Sequence, residues 1–208
     1  STPCKGRLVP VAAARTVRSC LSVVVALLAL SIAAPAAHAQ DEPPYLYWDN
    51  SFAQTIGRGT IDGNAANTNQ NLVGHAGPQV GGFGVAADAQ HFYWANSGNL
   101  MRSDLNGQNA VHLTTLAVGA RWLAVDTRYI YLATDSFVSR VNLDGTGYVE
   151  RWLNYPKFSF GLAVDVGHIY WLSADGIGRA NLDGTGIDNA FIPGAAGGAV
   201  AADGQYVY

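Results

Sequence analysis

Four aspartates close four equivalent apolar runs of this chain: Asp88, Asp126, Asp165 and Asp203. Carboxylates brought together from equivalent positions could ring an opening and hold a cation. Calcium asks for six to eight oxygen ligands, and no dense Asp-x-Asp-x-Asp-Gly loop occurs. The plainer role is a turn aspartate that accepts backbone N–H bonds. Four arginines recur in the same manner: Arg58, Arg102, Arg140 and Arg179. They could bind an anion, or pair with a neighbouring unit's aspartate or a backbone carbonyl. His91 and His168 have the chemistry of metal ligands. Tyr129 and Tyr206 stand at their equivalent positions, so the place asks for a ring more than for a nitrogen. His75 and His112 have no partner at ligand spacing, which speaks against zinc.

Catalytic patterns are missing from the sequence. After residue 39 there is no Cys, no His-Glu-x-x-His, no Gly-x-Ser-x-Gly and no phosphate-cradling glycine loop. No cofactor is expected. Residues that break the repeat are better candidates than those that keep it. One such stretch is Asn64 to Asn71, where Asn67, Asn69 and Gln70 are candidate interaction residues. The other is Asn154 to Phe158, where Tyr155, Lys157 and Phe158 bring the one lysine beyond the leader beside two aromatics. Loops on one face of a rigid scaffold are the usual place for binding.

The elements that position these residues are read from a period. Tyr93, Tyr131, Tyr170 and Tyr208 recur at 38- or 39-residue steps, and an earlier copy at Tyr47 lies 46 residues before Tyr93. Each unit holds four short strand-like runs. In the clearest unit these are 122–125, 129–133, 137–143 and 148–153, and Asp144-Gly145 turns the chain between the last two. Short strands joined by tight Asp-Gly or Asn-Gly turns are hairpin chemistry. Helical periodicity appears nowhere after the leader. Four antiparallel strands per unit of this length predict an all-β propeller built from blades. One aromatic per blade at a fixed place, such as Tyr47, Tyr93, Tyr131 and Tyr170, is expected to fill the wedge between blades.

The Tyr-Trp phrase, followed by Ile-Gly-Arg-Ala-Asn-Leu-Asp-Gly-Thr-Gly at 177–186, resembles the YWTD repeat of low-density lipoprotein receptor class B type. More closely, it is similar to bacterial exported proteins built from such repeats. The likeness covers residues 45 to 208. It implies a six-bladed propeller. The terminal Asp of the motif is replaced: the pairs after Trp48, Trp94, Leu132 and Trp171 read Asp-Asn, Ala-Asn, Ala-Thr and Leu-Ser. Six-bladed relatives include metal-dependent lactonases and a streptogramin lyase that work at the central opening, so an enzyme of that kind is the alternative function.

Residues 1–39 read as a signal peptide. Lys5, Arg7, Arg15 and Arg18 are basic, Leu21 to Ala34 is apolar, and Ala37-His38-Ala39 offers a cleavage site after Ala39. The expected location is secreted or periplasmic, with no stable membrane insertion once the leader is removed. All 15 acidic residues follow residue 40, against 8 of the 12 basic ones, so the remaining part carries a net charge of about −7. That balance argues against nucleic acid. Both cysteines lie in the leader, which leaves the rest to be held by its core. Residues 40–208 are expected to form about four blades of a longer propeller. A closed four-bladed ring, with 199–202 completing the first blade, is the competing count. The function expected is a non-enzymatic binding module for an unknown protein or carbohydrate ligand.

Overall fold

In the computed structural model, the described residues are 45–50, 53, 55–74, 84–96, 98–154, 161–195 and 197–208. Tyr155, Lys157 and Phe158 fall outside them. The expected architecture holds: the protein is all-β, with four antiparallel sheets formed in chain order. The first sheet has three strands, β1 (Tyr45–Asn50), β2 (Thr55–Thr60) and β3 (Asn69–Val73). The second has β4 (Val85–Ala87), β5 (His91–Asn96), β6 (Asn99–Asp104) and β7 (Val111–Thr115). The third has β8 (Trp122–Val125), β9 (Tyr129–Ala133), β10 (Phe137–Asn142) and β11 (Val149–Asn154). The fourth has β12 (Gly161–Val164), β13 (His168–Ser173), β14 (Gly176–Asn181) and β15 (Asp188–Pro193). Among the described residues one 3-10 turn, Ala65–Asn67, interrupts the strands.

Sheets pack face to face through their inner strands: β1 on β4, β4 on β8, and β8 on β12. A middle strand is therefore covered on both faces. Tyr131 and Ala133 of β9 pack with Ile169 and Trp171 of the next sheet. Ile130 and Leu132 of the same strand pack with Tyr93, Ala95 and Leu100 of the preceding one. That is why Tyr-Ile-Tyr-Leu-Ala runs apolar without alternation, a pattern that follows whenever both faces are buried. Residues 199–208 begin the phrase again. Ala202 bridges Val207, and Ala201 and Tyr208 exchange backbone bonds at 2.8 and 3.1 Å. Stretch 199–202 thus pairs with its own following segment, as β12 does with β13, and packs on the fourth sheet through Val200.

Arginines and turn glycines fasten one sheet to the next. Arg58 donates to the Leu105 carbonyl at 3.0 Å, Arg102 to that of Leu143 at 3.4 Å and Arg140 to that of Leu182 at 3.4 Å. Each acceptor sits in the following sheet's last turn. The Arg140 guanidinium also lies 4.2 Å from the centre of the Tyr129 ring and 4.8 Å from that of Trp152. These are the backbone-carbonyl partners expected for the arginine set, and the ring of Tyr129 is used as a flat cushion. Gly145 has φ +87°, and a Cβ there would stand 2.6 Å from the Leu113 carbonyl oxygen. Glycine is needed at that turn both for its conformation and for close approach to the neighbouring sheet.

One tryptophan is less well provided for. Trp48 donates its indole N–H to Gln70 Oε1 at 3.2 Å. Trp94, the next copy, has a buried Nε1 with no acceptor. The register explains the difference. β2 and β3 shift between Ile56 and Arg58, whereas β6 and β7 shift between Leu100 and Met101. His112, which stands where Gln70 does, lies 3.2 Å from Asn99 Oδ1 instead, and Met101 rather than a glycine faces the Trp94 ring. Replacing an orphaned donor by a similar apolar ring costs little. Trp94→Phe should lie within about 1 kcal/mol of the parent in urea unfolding, because the lost area is offset by removing the unpaired N–H.

Candidate functional site

The four aspartates that opened the sequence reading lie at one end of the sheets, in the turns between first and second strands. Each carboxylate is engaged in the same way. Its Oδ1 accepts the backbone N–H groups two and three residues ahead: Gln90 and His91, Arg128 and Tyr129, Gly167 and His168, Gln205 and Tyr206, all at 2.7–2.8 Å. Its Oδ2 accepts a tyrosine hydroxyl five residues ahead. Tyr93 donates to Asp88 at 2.7 Å, Tyr131 to Asp126 at 2.9 Å, Tyr170 to Asp165 at 3.0 Å and Tyr208 to Asp203 at 2.7 Å. Three of roughly four acceptor positions on each carboxylate are thus occupied by the protein itself. The aspartate closes the turn and anchors the aromatic ring that fills the space between sheets. The turn role expected from the sequence is the one found. The tyrosine hydroxyl is a part of it that sequence reading missed, although the constant spacing of five between Asp and Tyr was there to be read.

The electrostatics follow from these bonds. Burial pushes the Asp165 carboxyl up, but the N–H groups of Gly167 and His168 and the Tyr170 hydroxyl outweigh it and hold it below the usual 3.8. Asp203 is also held low, first by the Tyr208 hydroxyl and then by the Tyr206 and Gln205 N–H groups. Burial, reinforced by the aspartates, pushes Tyr93 and Tyr131 well above the ordinary tyrosine range. A depressed carboxylate contributes stability that is present above its unfolded value and lost as pH falls below it. A raised tyrosine contributes stability that is present below its unfolded value of 10.0 and lost as pH rises past it. Thermal midpoints should therefore fall on both limbs, below about pH 4 and above about pH 10. Tyr131→Phe should flatten the alkaline limb in a pH series of thermal melts.

Between these turns lies a cleft of about 410 Å³. Its walls come from Val125 and Thr127 of the third sheet, Val164, Val166 and Leu182 of the fourth, and Ala202, with Asp126, Asp165 and Asp203 around it. Val166 is 96% exposed. The equivalent residues are Ala89, Thr127 and Gly204, so an exposed β-branched apolar side chain is particular to this turn. Among the described residues no cluster of three or more His, Cys, Asp and Glu could hold a metal ion. His91 and His168 lie 4.0 and 3.8 Å from Asp88 and Asp165, and His112 is 3.2 Å from Asn99 Oδ1.

The candidate residues of the first polar stretch are placed as follows. Asn67 ends the 3-10 turn that Asn64 caps through its side chain. Asn69 opens β3 and accepts the Asn71 N–H at 2.9 Å. Gln70 holds Trp48, and its carbonyl accepts from Asn50 at 2.9 Å and Thr55 at 2.8 Å. All three are exposed, but Gln70 also serves the sheet's own outer edge. β11 ends at Asn154, at the opposite end of its sheet from the aspartate turns. Tyr155, Lys157 and Phe158 lie outside the described residues.

Solved structures share the fold. A chain of the nidogen/laminin complex is 18% identical with a TM-score of 0.52, over 69% of this chain and 59% of that one. The computationally designed Ika8 protein is 16% identical with a TM-score of 0.55, over 81% and 52%. The WD40 domain of Pan2 from Neurospora crassa is 13% identical with a TM-score of 0.52, over 72% and 50%. WD40 repeats build propeller blades of four strands. The fold is a β-propeller. The chain spans 50% to 59% of the length of these three structures. No protein-family model and no curated protein matches it.

Proposed function

We propose that this propeller is an exported, non-enzymatic interaction module of the YWTD-repeat kind, secreted or periplasmic after loss of residues 1–39, with a protein or carbohydrate ligand. One observation carries the reading. The polar residues that recur from blade to blade are occupied within the fold, while the cleft at the aspartate end presents an exposed apolar side chain, Val166. Carboxylates that already accept three hydrogen bonds are poorly placed to move protons. An apolar surface left open beside polar groups suits contact with a partner. The basic and apolar leader supports export. The nidogen/laminin neighbour, a complex of two proteins, agrees with an interaction role for the fold.

The test is retention of a partner from cell-envelope extract on the immobilised chain. Val166→Ser should reduce retention about tenfold, the loss of a centrally placed apolar contact worth about 1.4 kcal/mol. Val118→Ser should leave it unchanged, since Val118 is also exposed but lies between β7 and β8 at the other end. Equal retention by all three proteins contradicts the assignment of the surface. Saturable hydrolysis of a lactone with an added divalent metal contradicts the non-enzymatic reading.

A further inference from the structure

Resting on the interaction reading, we infer that the occupant of the cleft is a protein segment carrying arginine or lysine beside aliphatic residues, seated with its apolar atoms on Val164, Val166 and Leu182 and its cationic heads toward Asp126, Asp165 and Asp203. The cleft carries the inference, and the charge of its lining selects the occupant. Three carboxylates line it and no arginine or lysine does. The donors that bind those carboxylates are backbone N–H groups and tyrosine hydroxyls, which are neutral. They satisfy hydrogen bonding without cancelling charge. The Arg140 guanidinium donates to the carbonyl of Leu182 beside the cleft and lies over the Tyr129 and Trp152 rings, so one cation stands near three carboxylates and the balance stays negative. An anionic segment would meet a net like charge at the rim, which disfavours it at an interface. An uncharged apolar segment would cover ionised carboxylates without pairing them.

Lysine and arginine fit both parts of the cleft at once. Their methylene stems lie along apolar surface while their heads reach polar groups. The acidic character also continues beyond the cleft. Asp144 and Asp183, in the last turns of the third and fourth sheets, are held low first by the hydroxyls of Thr146 and Thr185 and then by their backbone N–H groups. A surface with cleft and charge extended over two sheets suits a chain segment better than a free amine.

The probe is a short fluorescein-labelled peptide of alternating leucine and arginine, titrated with the 208-residue chain and followed by anisotropy. A leucine–glutamate peptide and spermidine serve as comparisons. The arginine peptide should bind saturably, more weakly in high salt. Val166→Ser should weaken it about tenfold, and Asp126→Asn with Asp203→Asn should do so at least as strongly. Glu150→Gln, on the outer strand β11, should leave the affinity unchanged. Circular dichroism establishes that each variant is folded. If the double variant unfolds, Val166→Ser, a surface change, decides alone. Equal loss in Glu150→Gln, equal binding of the glutamate peptide, or no binding of the arginine peptide overturns the inference. So does displacement by spermidine joined to indifference toward Val166→Ser, which would make the ligand a small polyamine. If the arginine peptide fails while envelope retention still depends on Val166, the cationic chemistry falls and the interaction reading stands.

Discussion

Asp126→Ala should lower the free energy of unfolding by about 3 kcal/mol, while Asp126→Asn should cost about 1 kcal/mol. The first change removes three hydrogen bonds at once. The N–H groups of Arg128 and Tyr129 lose their acceptor, and so does the hydroxyl of Tyr131. Tyr131 is fully buried, so its hydroxyl is left without a partner where water reaches it poorly, the costly side of hydrogen-bond deletion. Hydrogen bonds to a charged acceptor are also worth more than neutral ones. Asparagine keeps an acceptor oxygen for the two N–H groups, and its amide can donate to the tyrosine oxygen. Only the charge-assisted part is then lost. Guanidinium titrations of the three proteins at neutral pH measure this. Because Asp203 and Tyr208 are exposed, Asp203→Ala should cost clearly less than Asp126→Ala. If the aspartates existed to hold a ligand instead of the turn, Asp126→Ala would leave stability unchanged.

The second large effect belongs to the tryptophan–glycine pairs. Trp171 faces Gly178 in register, and an added Cβ on Gly178 would lie 2.3 Å from the indole. Trp48 and Gly57 repeat the arrangement, with a Cβ 2.4 Å from the ring. Where the third sheet has Leu132 in place of tryptophan, Ser139 stands opposite it. In the first and fourth sheets the large ring and the missing side chain therefore fill one space between them, whereas in the second Trp94 faces Met101. Trp171→Ala should cost about 4 kcal/mol, since Trp171 is fully buried. Gly178→Ser alone should cost about 2 kcal/mol by overpacking. Trp171→Leu joined to Gly178→Ser recreates the Leu132–Ser139 pair. Its cost should fall below the sum of the single variants by at least about 1 kcal/mol. Strict additivity in that cycle would show that the two residues do not share the space.

Much of this architecture was legible in the residues. The 38- to 39-residue step, the Asp-Gly turns and the recurring arginines place four strands per unit, and the sheets observed follow them. Arg58, Arg102 and Arg140 reach backbone carbonyls of the next sheet, one of the outcomes expected, whereas Arg179 lies over the Phe191 ring. Positions recur visibly in a repeat, but side-chain direction does not. Asp126 and Tyr131 were each read alone, as a turn residue and as a wedge, although the structure makes them one device. Gln70 looked like a free polar residue because its partner, Trp48, lies 22 residues away across the sheet. The cleft escaped notice because it is assembled from turns of different sheets, where only Val166 departs from its equivalents.

On this reading the repeating polar residues build the propeller, and contact with a partner is made at the cleft around Val166. Site-specific photocrosslinking in the host cell decides this, with the photoreactive residue at position 166 in one variant and at position 118 in another. The account predicts a discrete crosslinked partner from position 166 and none from position 118. Crosslinking confined to position 118, or equal at both, would contradict it.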